Sequence, residues 1–199
     1  TYSETSPWDC PVVQKVRDNA LKVIAARMQP PKPRQRDRGS WPDVLALVAS
    51  GKPEYVALAK DWVHRRPTTG RNGICQDMNH KGSIEDVTYR GMQSWHHGFN
   101  FLEMAIYYDA TGDKFILPEV RKRAICAALG QNGGGSWGHT FAFPEFNGGM
   151  LHRNNPGYGG MNNAGGRCFF LLTLAKKFGI EHPEINAAIW RSTRFFRTF

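Results

Sequence analysis

The stretch that decides the fold is "LPEVRKRAICAAL", Leu117 to Leu129. Its Pro118-Glu119 pair recurs as Pro53-Glu54 in "KPEYVALAKDWV" and as Pro183-Glu184 in "HPEINAAIWRST". Pro118 follows Pro53 by 65 positions, and Pro183 follows Pro118 by 65. Proline suits the first turn of a helix, where its missing N–H costs nothing, and glutamate there meets the positive end of the helix dipole. A fixed period that carries helix starts predicts a chain of repeated helical units.

The connections repeat with the helices. "GRNG" at Gly70–Gly73 shifts by 65 onto "GSWG" at Gly135–Gly138, and a related "GSW" stands at Gly39–Trp41. Pro11 opens a further copy, "CPVVQKVRDNALKVIAARM". Other helices lie between the Pro-led ones. "WPDVLALVAS" is short, whereas "HGFNFLEMAIYYDATG" and "AGGRCFFLLTLAKKFG" are longer, and each long one ends at a Gly that can stop it. The long pair is apolar nearly all round, the pattern of a helix buried on most sides. The 117–129 helix reads as one apolar stripe (Val120, Ala124, Ile125, Ala128, Leu129) opposite Arg121, Lys122 and Arg123, an outer helix.

Alternating inner and outer helices predict an all-α fold: helical hairpins in two concentric layers, as in an α/α toroid or an α-solenoid. Almost no alternating strand pattern is visible. The 199 residues hold roughly three and a half hairpins, against about six in a closed α/α barrel, so residues 1–199 read as one α/α-hairpin domain that is a portion of a larger toroid. The start at Thr1, with no initiator Met, implies chain upstream and other domains as partners.

Composition bounds the function. The chain is 41% hydrophobic and 12% aromatic, too apolar for disorder. No run of about 18 apolar residues spans a membrane, and no signal peptide is visible. The net charge of +9 is partly local, in the basic Pro-rich loop 29–40. That loop reads as a solvated segment or as a contact for a polyanion. Without aromatic interleaving or a nucleic-acid motif, nucleic acid is not an expected partner. Cys10, Cys75, Cys126 and Cys168 form no zinc spacing, and Cys126 and Cys168 read as buried free thiols.

"QNGGGSWG", Gln131 to Gly138, resembles the Gln…Gly-x-Trp repeat of the terpenoid-cyclase and prenyltransferase toroids, a six-hairpin-like architecture. The resemblance implies that Gln and Trp tie neighbouring hairpins together; the Asp-Asp acid motif of the cyclases is absent. From about Trp95 onward, "SWHHGFNFLEMAIYYDATGD" and "GHTFAFPEFNGGMLHRNNPGYGGMNNAGGRCFFLLTLAKKFGI" resemble a bacterial family known only as a domain of unknown function. Its members tend to be large and exported, some with PDZ domains, which implies an exported protein. A third likeness is to α/α-toroid polysaccharide lyases, whose alginate-cleaving members carry Asn-Asn-His. The counterparts here are Asn154-Asn155-Pro156 and Asn162-Asn163-Ala164, without the His.

The repeat also places a site. His97 shifted by 65 lands on Asn162, and both precede a long apolar helix, at one end of the inner layer. Helix N-termini there favour an anionic or polyhydroxylated ligand. The loop from Gly133 to Gly166 is far longer than usual, a mark of function or disorder, and Phe141, Phe143, Pro144, Phe146 and Tyr158 can anchor it. Its mouth holds His96, His97, His139, Glu145, His152, Arg153, Tyr158, Asn162 and Asn163. Each also has a bland reading. Asn162 and Asn163 can cap the helix, and His96 and His97 can cap it or pack on aromatics. Arg153 can brace the loop, and Glu145 can be a solvated carboxylate. Glu103, on an apolar helix, must be paired or titrate high. No metal is expected, since four spread histidines show no ligand spacing, and no cofactor motif occurs.

Two functions follow. One is an enzyme on carbohydrate. In β-elimination, Arg153 and Asn162 neutralise a uronate carboxylate, and Tyr158 or His152 moves the proton, with His139 as a further catalytic candidate. In hydrolysis, Glu145 is the acid and Asp86 or Glu103 its partner. His96, His97 and Asn163 would contact ligand. The other is a non-catalytic module that binds a glycan or peptide, or braces a larger protein.

Overall fold

The computed structural model describes residues 5, 10–30, 39–65, 93–144, 147–155 and 159–198, with the side chains of Gln93 and His96 set aside. Every regular element among them is helical, and no described residue lies in a strand. They fall into two compact units, Thr1–Arg65 and Arg66–Phe199.

The first unit holds α1 (Pro11–Met28), α2 (Trp41–Ala49) and α3 (Pro53–Arg65). The "GSW" element is a helix start. Ser40 caps α2, its N–H and hydroxyl both donating to the Asp43 carboxylate, and Asp43 is also paired with Arg27 of α1. Trp41 and Trp62 meet edge to face at 5.8 Å over a core with Leu21, Met28, Val44 and Val63.

The second unit opens with α4 (Gln93–His96), a π turn over His97–Phe101 and α5 (Leu102–Thr111). It continues through α6 (Leu117–Leu129), the long loop 130–161, α7 (Asn162–Lys177) and α8 (Pro183–Phe196). The three Pro-Glu pairs all lie in first turns: Pro53 and Pro183 open α3 and α8, and Pro118 is the second residue of α6. Gly112 and Gly179, both at positive φ, lie just beyond α5 and α7, as the sequence predicts. The loop is shorter than predicted, because Gly165 and Gly166 belong to α7.

Equivalent helices run in the same direction. At the start of the α4–α5 run, Gly98 sits so close to α7 that an added Cβ would lie 2.9 Å from the Ala164 carbonyl oxygen and from Arg167 Cβ. At the other end, Lys177 of α7 bonds Asp109 of α5 at 2.6 Å. α6 packs on α8 likewise, with Gln131, just past α6, reaching Ala188 and Ser192 in the later part of α8. Two hairpins therefore stack in the same sense, as a repeat requires.

One sequence expectation is corrected. α6 is not a half-exposed outer helix: Arg123 is 0% exposed and Glu119 6%. The pair i, i+4 closes at 2.8 Å, and the Arg123 guanidinium also lies over the Phe101 ring, 4.3 Å from its centroid. A partner one turn away and an aromatic face compensate a charge that a stripe count assigns to water.

Candidate functional site

The long loop is built around two fully buried groups, Trp137 and Gln131. Trp137 is 0% exposed and donates its indole N–H to the Ala127 carbonyl, while its own carbonyl accepts from Met161 N–H, which fixes the approach to α7. Gln131, also 0% exposed, donates to the carbonyls of Gly135 and Ala188 and to the Ser192 hydroxyl, and its oxygen accepts from Arg191 Nε at 2.6 Å. Ser192 returns a bond to Gly135 O. Gln131 and Trp137 thus tie the α6 end to α8 and α7, the role that the Gln…Gly-x-Trp likeness implies.

Gly135 takes φ +93, and an added Cβ would lie 2.3 Å from Arg191 O, so only glycine fits there. Beyond it the asparagines work on the loop itself. Asn132 donates to Asn155 Oδ1 at 2.6 Å, Asn155 donates to Thr140 O at 2.7 Å, and Asn147 donates to Phe143 O and Asn154 O. These amides brace the loop and leave few groups over for a ligand.

His152 is the pivot. It has φ +55, unusual for a residue with a Cβ. Its Nδ1 lies 2.8 Å from Gln131 O, which can only accept, so Nδ1 carries a proton; its Nε2 lies 2.8 Å from Glu184 Oε2 and 3.3 Å from Arg191 Nη2. Arg191 Nη2 also reaches Glu184, at 3.3 Å. Partial burial pushes the Glu184 carboxyl up, yet the bonds and charges of His152 and Arg191 outweigh it and hold Glu184 below its ordinary value.

Beside this pivot is an open cleft of about 500 Å³, lined by Asn132–Gly134, His152–Asn155, Gly159, Gly160 and Phe195. Arg153 brings a cation to it: the side chain is exposed and, among the described residues, meets Met150 Sδ alone, at 3.3 Å. Asn154 is exposed beside it.

Of the other predicted residues that the structure describes, none lines this cleft. His97 is 0% exposed and sits between the rings of Phe101 and Phe141, at 4.9 and 4.7 Å, packed in the core. His139 stacks on Trp95, and its Nδ1 accepts the Trp95 indole N–H at 2.8 Å. Asn162 and Asn163 do not cap α7; Met161 holds that position, and both asparagines are exposed in the first turn, outside the cleft lining. Glu145, Tyr158, Asp86, Cys75, the His96 side chain and most of the basic loop (31–38) lie outside the described residues. Glu103 is half-buried, and burial raises its pKa against the lowering charge of Arg167, as its apolar helix predicts. Cys10, Cys126 and Cys168 are free thiols. Among the described residues, no three metal-ligating side chains lie together, and no helix is long and apolar enough to cross a membrane.

Sequence reasoning missed Gly133, Gly134, Phe195, Glu184 and Arg191 as parts of the site. Glu184 carried a signal, being the repeat's own glutamate, but nothing in the sequence joins it to His152. A family model described as "Domain of unknown function (DUF6288)" matches residues 14–199. No curated protein and no solved structure matches.

Proposed function

As the chain belongs to this family of unknown function, we propose from its site that it is a binding module for an anionic, polyhydroxylated polymer such as a uronate-containing polysaccharide. The observation that supports this reading is the make-up of the cleft. A guanidinium without a carboxylate partner among the described residues, Arg153, stands beside the Asn154 amide and the glycine-lined walls. Arg binds carboxylates through paired N–H donors, and glycines let a ligand approach the backbone. The titratable ring in the cleft, His152, has both nitrogens engaged by Gln131 and Glu184. Binding therefore takes precedence over catalysis: a general base needs a free lone pair within reach of the proton it removes.

This reading goes with continuation of the stacked hairpins into a toroid and with an exported location, where such polymers occur. Titration calorimetry with oligogalacturonates tests it. Arg153→Ala is expected to weaken binding by about tenfold, the scale of one charged hydrogen bond. Undiminished binding by that variant, or none by the parent, sinks the cleft reading. Release of unsaturated sugar, seen as new ultraviolet absorbance, would replace it with elimination.

A further inference from the structure

Two charged side chains on neighbouring helices lack ordinary partners among the described residues. Glu103 lies in the first turn of α5 and Arg167 in the first half of α7, and both are half-buried. Neither side chain makes a hydrogen bond or ion pair among the described residues. Arg167 touches the face of Phe99, with its Cζ 4.0 Å from the ring centroid, and acts on Glu103 only through its charge.

Their positions are fixed from below. Phe99 stacks on Trp95 at 5.5 Å and 16°, and Trp95 in turn stacks on His139 and is bonded to it. The close approach of Gly98 to Arg167 Cβ sets the α7 backbone against the π turn. The guanidinium therefore rests at the end of a braced aromatic row. π turns inside α-helices are frequent at functional sites. Both side chains also keep part of their surface open to solvent, where a ligand can reach them.

The chemistry of the pair selects its ligand. An anion would satisfy Arg167 and be repelled by Glu103; a cation would do the reverse. Neighbouring hydroxyls suit both, because a hydroxyl accepts from a guanidinium and donates to a carboxylate. We propose that Glu103 and Arg167 form a second saccharide-binding site, in which adjacent sugar hydroxyls accept from Arg167 and donate to Glu103. It uses none of the residues lining the cleft and does not require an acidic sugar.

The test is nuclear magnetic resonance on labelled protein titrated with neutral cello-, malto- and manno-oligosaccharides. The Arg167 Nε–H and Glu103 carboxyl signals are expected to move with at least one of them. The Glu103 titration should shift to lower pH on binding, since bonded hydroxyls favour the carboxylate. Glu103→Ala and Arg167→Ala should each weaken binding about tenfold, while Arg153→Ala leaves it unchanged. Where an alanine variant fails to fold, Glu103→Gln and Arg167→Lys take its place with the same direction expected. Signals that stay fixed with all three sugars overturn the proposal, as do variants that bind as the parent does. Neutral-sugar binding lost only in Arg153→Ala overturns it and leaves the cleft reading standing. Movement at Arg167 together with an Arg153→Ala variant that still binds oligogalacturonates supports this site and removes the cleft.

Discussion

His152 Nε2 lies 2.8 Å from Glu184 Oε2 across a gap of 32 residues. That bond fastens the cleft wall to the first turn of α8, and the other ring nitrogen fastens it to the end of α6. The wall is therefore as firm as the hairpin packing behind it.

Glu184 gives the first prediction. Its carboxyl is held below the ordinary value in the fold, so its stabilisation is complete above the unfolded pKa and is lost as pH falls through the folded one. Glu184→Gln should be less stable than the parent at neutral pH by about 1–3 kcal/mol, with the gap closing in acid. Urea unfolding at a series of pH values measures both.

Glu103 has the opposite sign. Its folded pKa is raised, so the folded chain keeps a proton that the unfolded chain has released. Stability is full below the ordinary carboxylate pKa and declines as pH rises toward the raised one. Glu103→Gln should melt higher than the parent at neutral pH and alike in acid. A variant that melts lower at neutral pH contradicts the geometry.

The buried Glu119–Arg123 pair should punish half-removal. Glu119→Ala leaves a buried guanidinium and is expected to cost about 3–5 kcal/mol. Replacing both, as Glu119→Leu with Arg123→Met, should recover most of that loss. Chemical denaturation of the three proteins decides it.

Burial pushes the Cys126 thiol up to about 12 and raises Cys168 as well. A thiol is reactive as its thiolate. Both should resist iodoacetamide at neutral pH and react once urea unfolds the chain, as mass spectrometry of labelled peptides would show.

The helix starts were legible because proline and glutamate act within one turn, so Pro53, Pro118 and Pro183 marked α3, α6 and α8. The glycine stops of α5 and α7 are local in the same way. The depth of α6 was not legible. A stripe count sends Arg123 to solvent, and only the fold brings Phe101 over its guanidinium. The site divided likewise. Arg153 and His152 were picked out by residue type and lie on the cleft. His97 shared that type, but it is enclosed by Phe101 at the end of its own π turn and by Phe141 from far along the chain. Asn162 looked like a cap because Asn often is one, yet the chain enters α7 one residue earlier.

Glu119 and Glu184 occupy the same place in the 65-residue unit, and they have parted company. One turned inward to an arginine on its own helix; the other reached out to a histidine on a loop. The position matching Arg123 in α8 is Ala188, fully buried, whose carbonyl Gln131 holds. Grafting the α6 sequence onto α8 would force a guanidinium into that space. The hairpins share a repeated plan without being interchangeable parts, and each holds a carboxylate already committed to its own neighbourhood.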